Sequence, residues 1–463
     1  RAPRPAATWH GVRAATSVAP ACPQPASPFS PSNTSENCLY LNVYTPPAQS
    51  LQHRGDPVLV WFHGGGFTLG QASDYDPTKM AADGAIVVTV NYRLGVLGFL
   101  AHPALAGRPG GPAGNFGLMD QQAALRWVRA NIHAFGGDPH RITIDGQSAG
   151  GLSVLAQLTS PGARGLFQRA IVQSGSFALR QQTLATAEAA GATFAARVGC
   201  SDQTASCLRS VPVSELVANE SPSATPGVID GKVLRQSIGT ALAKGQFDRV
   251  PIIDGTNHDE ERLFGILGSS VSQGESVALP EAVSAASYQD VIAKTFDVSA
   301  QTAAEIAAEY PLDAFATPAL AYSQLDSDAN FSCPALQIDH LTSRYVPTYA
   351  YEFNDENAPS RYVPGTAELP SGAMHQSELQ YLFDTPTAPI PGQLSPAQEA
   401  LASSMRQHWV TFAATGDPSY QGSTAWPAFD AGSEQFLALL PPQPQLETSF
   451  AADHHCGFWS RLR

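Results

Sequence analysis

Apolar residues in the first half of the chain form short β-branched runs, and segments with helical spacing lie between them. Three runs have the length of strands buried on both faces: 57–62, 85–91 and 141–145. Helical spacing appears at 120–132, where Asp120 is expected to cap the start, and from about 149 to 158. Strands that alternate with helices predict an α/β fold whose sheet is mostly parallel and covered on both faces.

The second half of the chain is less regular. The segment 180–330 is rich in Ala and Ser and predicted to be mostly helical, with one strand at 250–254. A further strand is predicted at 347–353 and a helix at 396–416. No change of composition divides the chain, so we expect a single domain over residues 1–463. No run of 18 or more apolar residues occurs, which predicts no membrane span.

Composition narrows the class of protein. Hydrophobic residues make up 43% of the chain, enough for a sizeable core, and the formal net charge is −14. A protein of this charge does not attract phosphate backbones, so nucleic acid is excluded as an expected partner. The chain has few lysines and many Ala, Arg and Pro residues, a usage typical of GC-rich bacteria.

The six cysteines form no CxxC motif and no zinc-finger spacing. Neighbouring cysteines would pair as Cys22–Cys38, Cys200–Cys207 and Cys333–Cys456, one of 15 arrangements. Three disulfides would indicate an oxidising compartment, hence a secreted protein, extracellular or periplasmic. For the string 454–456, two histidines and a cysteine, spacing favours a disulfide cysteine beside surface histidines over a metal site.

Two glycine-containing motifs each follow a predicted strand. Residues 146–150, GQSAG, lie between the strand at 141–145 and a helix, which is the context of a serine nucleophile on a sharp turn. Residues 63–67, HGGGF, follow the strand at 57–62. Backbone N–H groups of such a run can stabilise the oxyanion of an acyl-transfer reaction. Together the two motifs favour ester chemistry with Ser148 as nucleophile.

A serine nucleophile needs a base and an acid later in the chain. Of the histidines after Ser148, His375 lies in a loop beyond a predicted strand. His340 and His408 fall in helices, and His454 and His455 lie near the C-terminus. Position therefore favours His375. The acid is expected just after the strand at 250–254, where the carboxylates Asp259, Glu260 and Glu261 remain alternatives.

Long strings in this chain resemble the type-B carboxylesterase family, which includes the cholinesterases. The matching strings are SENCLYLNVYTP (35–46), WFHGGGF (61–67), NYRLGVLGF (91–99), GNFGLMDQQAALRWVRANIHAFGGDPHRITIDGQSAGG (114–151), GLFQRAIVQSGS (165–176), GTNHDEERLF (255–264), MHQSEL (374–379) and CGFW (456–459). The resemblance implies an α/β-hydrolase fold in which helical insertions form a gorge.

The resemblance also implies roles for individual residues. Ser148, Glu260 and His375 would be the nucleophile, acid and base. Gly65, Gly66 and Ala149 would supply the oxyanion N–H groups, and Ser174 and Gln147 would support the triad. The family pairs its cysteines in the neighbour order given above, with residues 22–38 as an Ω-loop over the gorge. No metal or organic cofactor is implied.

The chain departs from the family in four places. Gln147 stands where cholinesterases carry Glu, and Glu261 stands where Gly is frequent. The Ω-loop contains no Trp, so we expect no strong preference for choline esters. From the resemblance we also expect the chain to begin inside the family's domain, after the N-terminal hairpin strands.

The sequence as a whole predicts a serine carboxylesterase that cleaves small-molecule esters, as a monomer or weak oligomer. Phe67 and Phe29 are candidate pocket walls, or equally core residues. Two rivals are a non-catalytic recognition module, disfavoured because the triad and the glycine run are both present, and an amidase or lipase on the same fold.

Overall fold

A large sheet organises the chain in the computed structural model, which describes residues 1–27, 29–47, 55–106, 111, 113–220, 227–272, 275–279 and 282–462. Within these ranges there are thirteen strands: β1 (Leu41–Tyr44), β2 (Asp56–Phe62), β3 (Ile86–Val90), β4 (Gly137–Gln147), β5 (Arg169–Gln173), β6 (Gln182–Thr183), β7 (Val228–Ile229), β8 (Ile252–Asn257), β9 (Ser269–Ser272), β10 (Glu275–Ala278), β11 (Thr348–Phe353), β12 (Phe436–Leu439) and β13 (Gln445–Glu447).

Nine of these strands form the central sheet, in the order β1-β3-β2-β4-β5-β8-β11-β12-β13. The seven inner strands pair in parallel, while β1 and β13 add antiparallel edges. Buried apolar runs such as β2 and β3 are inner strands of this sheet, as parallel sheets covered on both faces require. The predicted α/β-hydrolase architecture is thus confirmed.

Seventeen α-helices occur in the described part of the chain: α1 (Thr78–Ala82), α2 (Gly95–Phe99), α3 (Phe116–Asn131), α4 (Ala149–Thr159), α5 (Leu184–Arg197), α6 (Ala205–Ser210), α7 (Val213–Ala218), α8 (Ile238–Ala243), α9 (Arg262–Ile266), α10 (Tyr288–Phe296), α11 (Ala300–Glu309), α12 (Pro318–Ser327), α13 (Cys333–Thr342), α14 (Leu379–Leu382), α15 (Pro396–Thr415), α16 (Phe450–Asp453) and α17 (Cys456–Leu462). A π-helical turn, Asp328–Ser332, joins α12 to α13.

Alternate residues of the sheet enter two separate cores. Val58 and Val60 of β2 pack with α3 and α4 on one face, whereas Leu59 and Trp61 pack with α15 on the other. This division follows from the period-two alternation of side chains along a strand. A third cluster joins α10, α11 and α12 to the C-terminal helices.

The structure corrects one helix boundary. α3 begins at Phe116, so Asp120 lies inside the helix and does not cap it. Its buried carboxylate instead accepts hydrogen bonds from Arg93, through Nε at 2.7 Å and the backbone N–H at 3.1 Å. The expected cap was wrong because the helix continues for a turn through Gly117, a residue with low helical propensity.

Three disulfides tie the described chain together: Cys22–Cys38, Cys200–Cys207 and Cys333–Cys456. These are the pairs that the family resemblance implies. No described helix is both long and apolar enough to cross a bilayer.

Candidate active site

Ser148 lies at a sharp bend between β4 and α4. Its backbone has φ 57° and ψ −123°, a strained conformation for a residue with a side chain. A methyl group on Gly150 would come within 1.9 Å of the Phe62 carbonyl oxygen, and one on Gly146 within 2.5 Å of the Gly150 backbone. Both glycines are therefore required for the close approach of the backbone at this turn.

His375 and Glu260 form a buried pair near the bend. The His375 Nδ1 lies 2.5 Å from the Glu260 Oε2. The second oxygen of Glu260 accepts hydrogen bonds from the Thr256 hydroxyl at 2.7 Å and from the Asn257 N–H at 2.8 Å. Both carboxylate oxygens are thus engaged, which fixes the carboxylate against the imidazole.

The other nitrogen of His375 faces the residue before Ser148. The Gln147 side-chain Nε2 lies 3.3 Å from the His375 Nε2. Among the described residues this amide is the hydrogen-bond partner of Nε2, and no hydrogen bond joins it to the Ser148 hydroxyl. The structure therefore brings His375 to the bend that carries Ser148, with Gln147 as its direct contact.

The glycine run after β2 lies beside the same bend. A methyl group on Gly64 would lie 3.2 Å from Cβ of Ser148. Gly65 has φ 102° and Gly66 φ 60°, and a methyl group on Gly65 would come within 2.3 Å of the Leu69 carbonyl oxygen. Within the described chain, the N–H groups of Gly65, Gly66 and Ala149 have no hydrogen-bond acceptor.

The neighbouring carboxylates, Asp259 and Glu261, point elsewhere. Asp259 pairs with Arg262 at 2.7 Å and accepts the Ala373 N–H at 2.8 Å. Burial opposes ionisation of Asp259, but the bonds to His258 and Arg262 dominate and lower its pKa. Burial and the charge of Asp326 raise the pKa of Glu261 well above its usual range. Of the three alternatives, the structure places only Glu260 on His375.

A second layer of buried acids lies behind this pair. Glu378 accepts a 2.6 Å hydrogen bond from the Asn257 side chain, and burial together with the charge of Glu260 raises its pKa to about 7. Burial raises the pKa of Asp145 to about 8, although the Gln173 amide donates to it at 2.8 Å. Sequence reasoning missed both acids, because nothing in the local pattern marks a carboxyl group that will be buried.

Ser174, the other expected support, follows β5 at a φ of 49°. Its N–H donates to the Gly255 carbonyl at 2.8 Å, which joins the ends of β5 and β8. The hydroxyl is buried and has no hydrogen-bond partner among the described residues. The structure thus places Ser174 at the carboxyl edge of the sheet without showing a contact to the triad.

Aromatic rings flank His375. The ring of Phe264 lies 5.1 Å from the imidazole and that of Phe331 lies 5.3 Å away. Phe177 extends the group, 5.5 Å from Phe331. The expected wall residue Phe67 is buried and packs on Phe99 at 5.1 Å, and Phe29 contacts Tyr362 at 6.2 Å. The apolar surface beside His375 therefore comes from residues that the sequence did not single out.

The C-terminal histidines differ from expectation. His454 is fully buried, not a surface residue, while His455 is half-buried beside Glu309. Cys456 is bonded to Cys333. The expectation of surface histidines was wrong for His454, because helices α16 and α17 pack this turn against Asp328 and Glu352.

Comparison with known proteins decides the family. A profile described as the carboxylesterase family matches residues 1–459. This chain belongs to the carboxylesterase family. It is a serine esterase that hydrolyses carboxylic esters.

Relatives of this carboxylesterase include a cocaine esterase from Homo sapiens, 34% identical over 99% of this chain and 83% of the relative. A para-nitrobenzyl esterase from Bacillus subtilis is 33% identical over 95% of this chain and 87% of the relative. A solved PNB esterase structure superposes with a TM-score of 0.78, at 32% identity, covering 98% of this carboxylesterase and 91% of the other chain.

Proposed function

We propose that Ser148 is the nucleophile of this carboxylesterase, His375 its general base and Glu260 the acid that orients the base. One observation carries the proposal: a serine held at φ 57° on a strand-to-helix bend lies beside a buried histidine–carboxylate pair. Such strain persists only where the surrounding structure enforces it. A hydroxyl presented in this way is a poor nucleophile until a neighbouring base removes its proton.

The reaction proceeds in two steps. Ser148 Oγ attacks the ester carbonyl carbon while His375 Nε2 accepts the hydroxyl proton, and the oxyanion is held by the N–H groups of Gly65, Gly66 and Ala149. His375 then gives the proton to the departing alcohol, leaving an acyl group on Ser148. Water then attacks the acyl carbonyl carbon while His375 accepts its proton. His375 returns this proton to Ser148 Oγ as the bond between that oxygen and the acyl group breaks and the acid leaves.

The unpaired N–H groups support the oxyanion assignment. Positive φ angles at Gly65 and Gly66 turn the backbone of the run into a conformation that residues with side chains avoid. Ala149 is the first residue of α4, where N–H groups have no intrahelical partner. Loss of one such donor costs about 2.7–4 kcal/mol of transition-state stabilisation in related chemistry.

The surface beside His375 suits an uncharged ester with an aromatic or bulky apolar group. Phe264 and Phe177 are partly exposed and continue the face of Phe331. Gln147 places no negative charge beside Ser148, and residues 22–38 contain no Trp. These features support the expectation of no strong preference for choline esters.

The Ser148→Ala variant tests the assignment. We expect a folded protein whose hydrolysis of p-nitrophenyl butyrate falls by several orders of magnitude, because the covalent step is lost. An organophosphate should label the native protein at one site per chain and leave the variant unlabelled. Retained esterase activity, or labelling elsewhere, would remove Ser148 from the mechanism.

A substrate panel separates the rival reactions. The native enzyme should cleave p-nitrophenyl and phenyl esters faster than the corresponding anilides, emulsified triglyceride or butyrylcholine. Faster cleavage of anilide would favour an amidase and faster cleavage of emulsion a lipase. An enzyme that is labelled but inactive on the whole panel would contradict the substrate proposal alone.

We further propose a single catalytic domain that is secreted, extracellular or periplasmic, and monomeric or weakly associated. One sheet that includes strands from Leu41 to Glu447 supports a single domain. Three disulfides support an oxidising compartment. Light scattering at several protein concentrations measures the oligomeric state, and a stable mass above that of one chain would overturn the last point.

A further inference from the structure

Two histidines and a glutamate converge away from Ser148. His258 follows β8, Glu352 lies in β11, and His454 lies between α16 and α17. Each residue offers a ligand atom, and these atoms lie within 4.8 Å of one another. The Glu352 Oε1 lies 2.6 Å from the His454 Nε2. Residues from three distant parts of the chain thus meet at one point.

The outer contacts of the two imidazoles match those of metal-binding histidines. His258 Nδ1 lies 3.1 Å from the Asp259 carboxylate, and His454 Nδ1 lies 2.6 Å from the Asp328 carboxylate. A ligating histidine commonly donates its remaining N–H to a carboxylate, which fixes the ring and its tautomer. Because both Nδ1 atoms are engaged in this way, Nε2 is the nitrogen that each ring would present to an ion.

Glu352 is oriented by an outer contact as well. Its second oxygen, Oε2, accepts a 2.7 Å hydrogen bond from the Asn354 side chain. Oε1 therefore faces the histidines. All three ligands then have a partner that orients them, as the ligands of metal sites usually do.

We propose that His258 Nε2, Glu352 Oε1 and His454 Nε2 bind one zinc ion. Two imidazoles and a carboxylate suit zinc better than magnesium or calcium, which prefer oxygen ligands. With bonds of about 2.0–2.2 Å, tetrahedral ligand atoms lie roughly 3.4 Å apart. The Glu352–His454 contact would open and His258 would move inward, each by side-chain adjustment.

Charge and access are compatible with an ion at this point. The carboxylates of Asp259 and Asp328 lie behind the imidazoles, and a zinc ion would replace the proton between His454 Nε2 and Glu352 Oε1. The His258 side chain is 30% exposed, while that of Glu352 is 4% exposed and that of His454 is fully buried. An ion can therefore enter past His258 without unfolding of the C-terminal helices.

A zinc ion at this cluster would stabilise the part of the fold that holds Glu260, the proposed triad acid. His258 precedes Glu260 by two residues, and His454 lies beside the Cys333–Cys456 disulfide. The ion would tie the ends of β8 and β11 to the C-terminal helices. This role is independent of the assignment of Ser148.

The test is zinc binding by the whole protein. After dialysis against a chelator and its removal, ZnCl2 is titrated by calorimetry, and bound metal is counted after gel filtration. We expect one zinc per chain, a higher melting temperature with zinc, and at least tenfold weaker binding by His258→Gln. This variant alters the partly exposed ligand, so it should fold even where His454→Gln does not.

The control variant is His340→Gln. His340 also pairs with a glutamate, Glu434, at 2.8 Å, but the two side chains are about one-third exposed. Among the described residues, no second histidine joins this pair in a cluster of possible metal ligands. His340→Gln and Ser148→Ala should bind zinc as the native protein does. Absence of stoichiometric zinc, or equal binding by His258→Gln, would show that the cluster is only an ion-pair network and would overturn the proposal.

Discussion

Gln147 is the residue whose side chain contacts Nε2 of His375 before any substrate binds. With Nδ1 of His375 directed at Glu260, the amide N–H of Gln147 points at the lone pair that accepts the Ser148 proton in the proposed mechanism. Its own oxygen is buried and has no hydrogen-bond partner in the described chain. The amide is thus able to hold the imidazole without adding charge.

Replacement of Gln147 by Glu should therefore shift the pH dependence. A carboxylate beside Nε2 favours the protonated imidazole, because opposite charges attract. Since the base must be neutral to accept a proton, the acidic limb of kcat/KM should move to higher pH by about one unit. The measurement is kcat/KM for p-nitrophenyl butyrate between pH 5 and 9.

The matched variant for this comparison is Gln147→Met, which removes the amide and adds no charge. It should lower activity without moving the acidic limb upward. An unmoved limb in Gln147→Glu would mean that the side chain at this position does not face the imidazole during turnover.

At the scale of single residues, motif and position predicted Ser148 and His375 but left the acid open. Asp259, Glu260 and Glu261 are consecutive and chemically alike, so only the direction of each side chain separates them. That direction is set by Arg262, Thr256 and Asp326, whose positions depend on tertiary packing. Before the structure, only the resemblance to the carboxylesterase family pointed to Glu260.

The elements that position the site are a strand, a bend and a helix in direct succession. β4 continues from Gly137 to Gln147, and α4 begins at Ala149, so Ser148 alone makes the turn. The Phe62 carbonyl at the end of β2 lies against Gly150, and the glycine run follows that same strand. Packing of α4 on β2 thus aligns the serine with the glycine run.

Gly150→Ala should break this alignment. The added methyl group would lie 1.9 Å from the backbone oxygen of Phe62. Because a backbone atom cannot turn aside as a flexible side chain can, α4 must shift. We expect the free energy of unfolding to fall by about 2 kcal/mol or more, as in other cases of severe overpacking. Activity should be almost completely lost. Urea denaturation and the p-nitrophenyl butyrate assay measure the two effects.

Gly457→Ala in α17 is the control, because a methyl group there meets no atom within 4 Å. Helical propensity alone should leave it as stable as the native protein or more stable by up to about 1 kcal/mol. A Gly150→Ala enzyme with native stability and activity would contradict the close packing of α4 on β2.

The elements that the sequence predicted are those with a clear apolar pattern, either a continuous buried run or helical spacing. Elements without such a pattern were not predicted. β2, β3 and β11 are continuous buried runs, and α15 is a long amphipathic helix close to its predicted bounds. The edge strands β1 and β13 are only four and three residues long and partly exposed, so no alternation distinguishes them from loops. Their pairing is decided by the sheet that they join.

Across the whole molecule, buried carboxyl groups accumulate under the site. Asp145, Asp254 and Glu378 all have raised pKa values, mainly because burial disfavours their charged forms. The chain carries a net charge of −14, yet these acids contribute least to it near neutral pH. The sequence shows the charge but not which acids are buried, just as it shows His258 and His454 without their convergence on Glu352.

Burial of Asp145 should make the free energy of unfolding depend on pH. In the folded protein burial raises its pKa from 3.8 to about 8. Between these values the folded state keeps a proton that the unfolded state releases, so the free energy of unfolding falls as pH rises from about 4 to 8 and this contribution is constant above 8. Asp145→Asn cannot ionise and keeps an acceptor for the Gln173 amide.

The difference in unfolding free energy, Asp145→Asn minus native, should therefore grow with pH. We expect it to increase by about 1–3 kcal/mol between pH 5 and pH 8, less than the full linkage value of about 1.4 kcal/mol per pH unit, because the native site can relax on ionisation. Urea denaturation at each pH measures it, with Glu305→Gln on the exposed face of α11 as control. A difference that stays constant or narrows with pH would mean that Asp145 is already ionised at pH 5, and the bend at Ser148 would then lie above a buried charge.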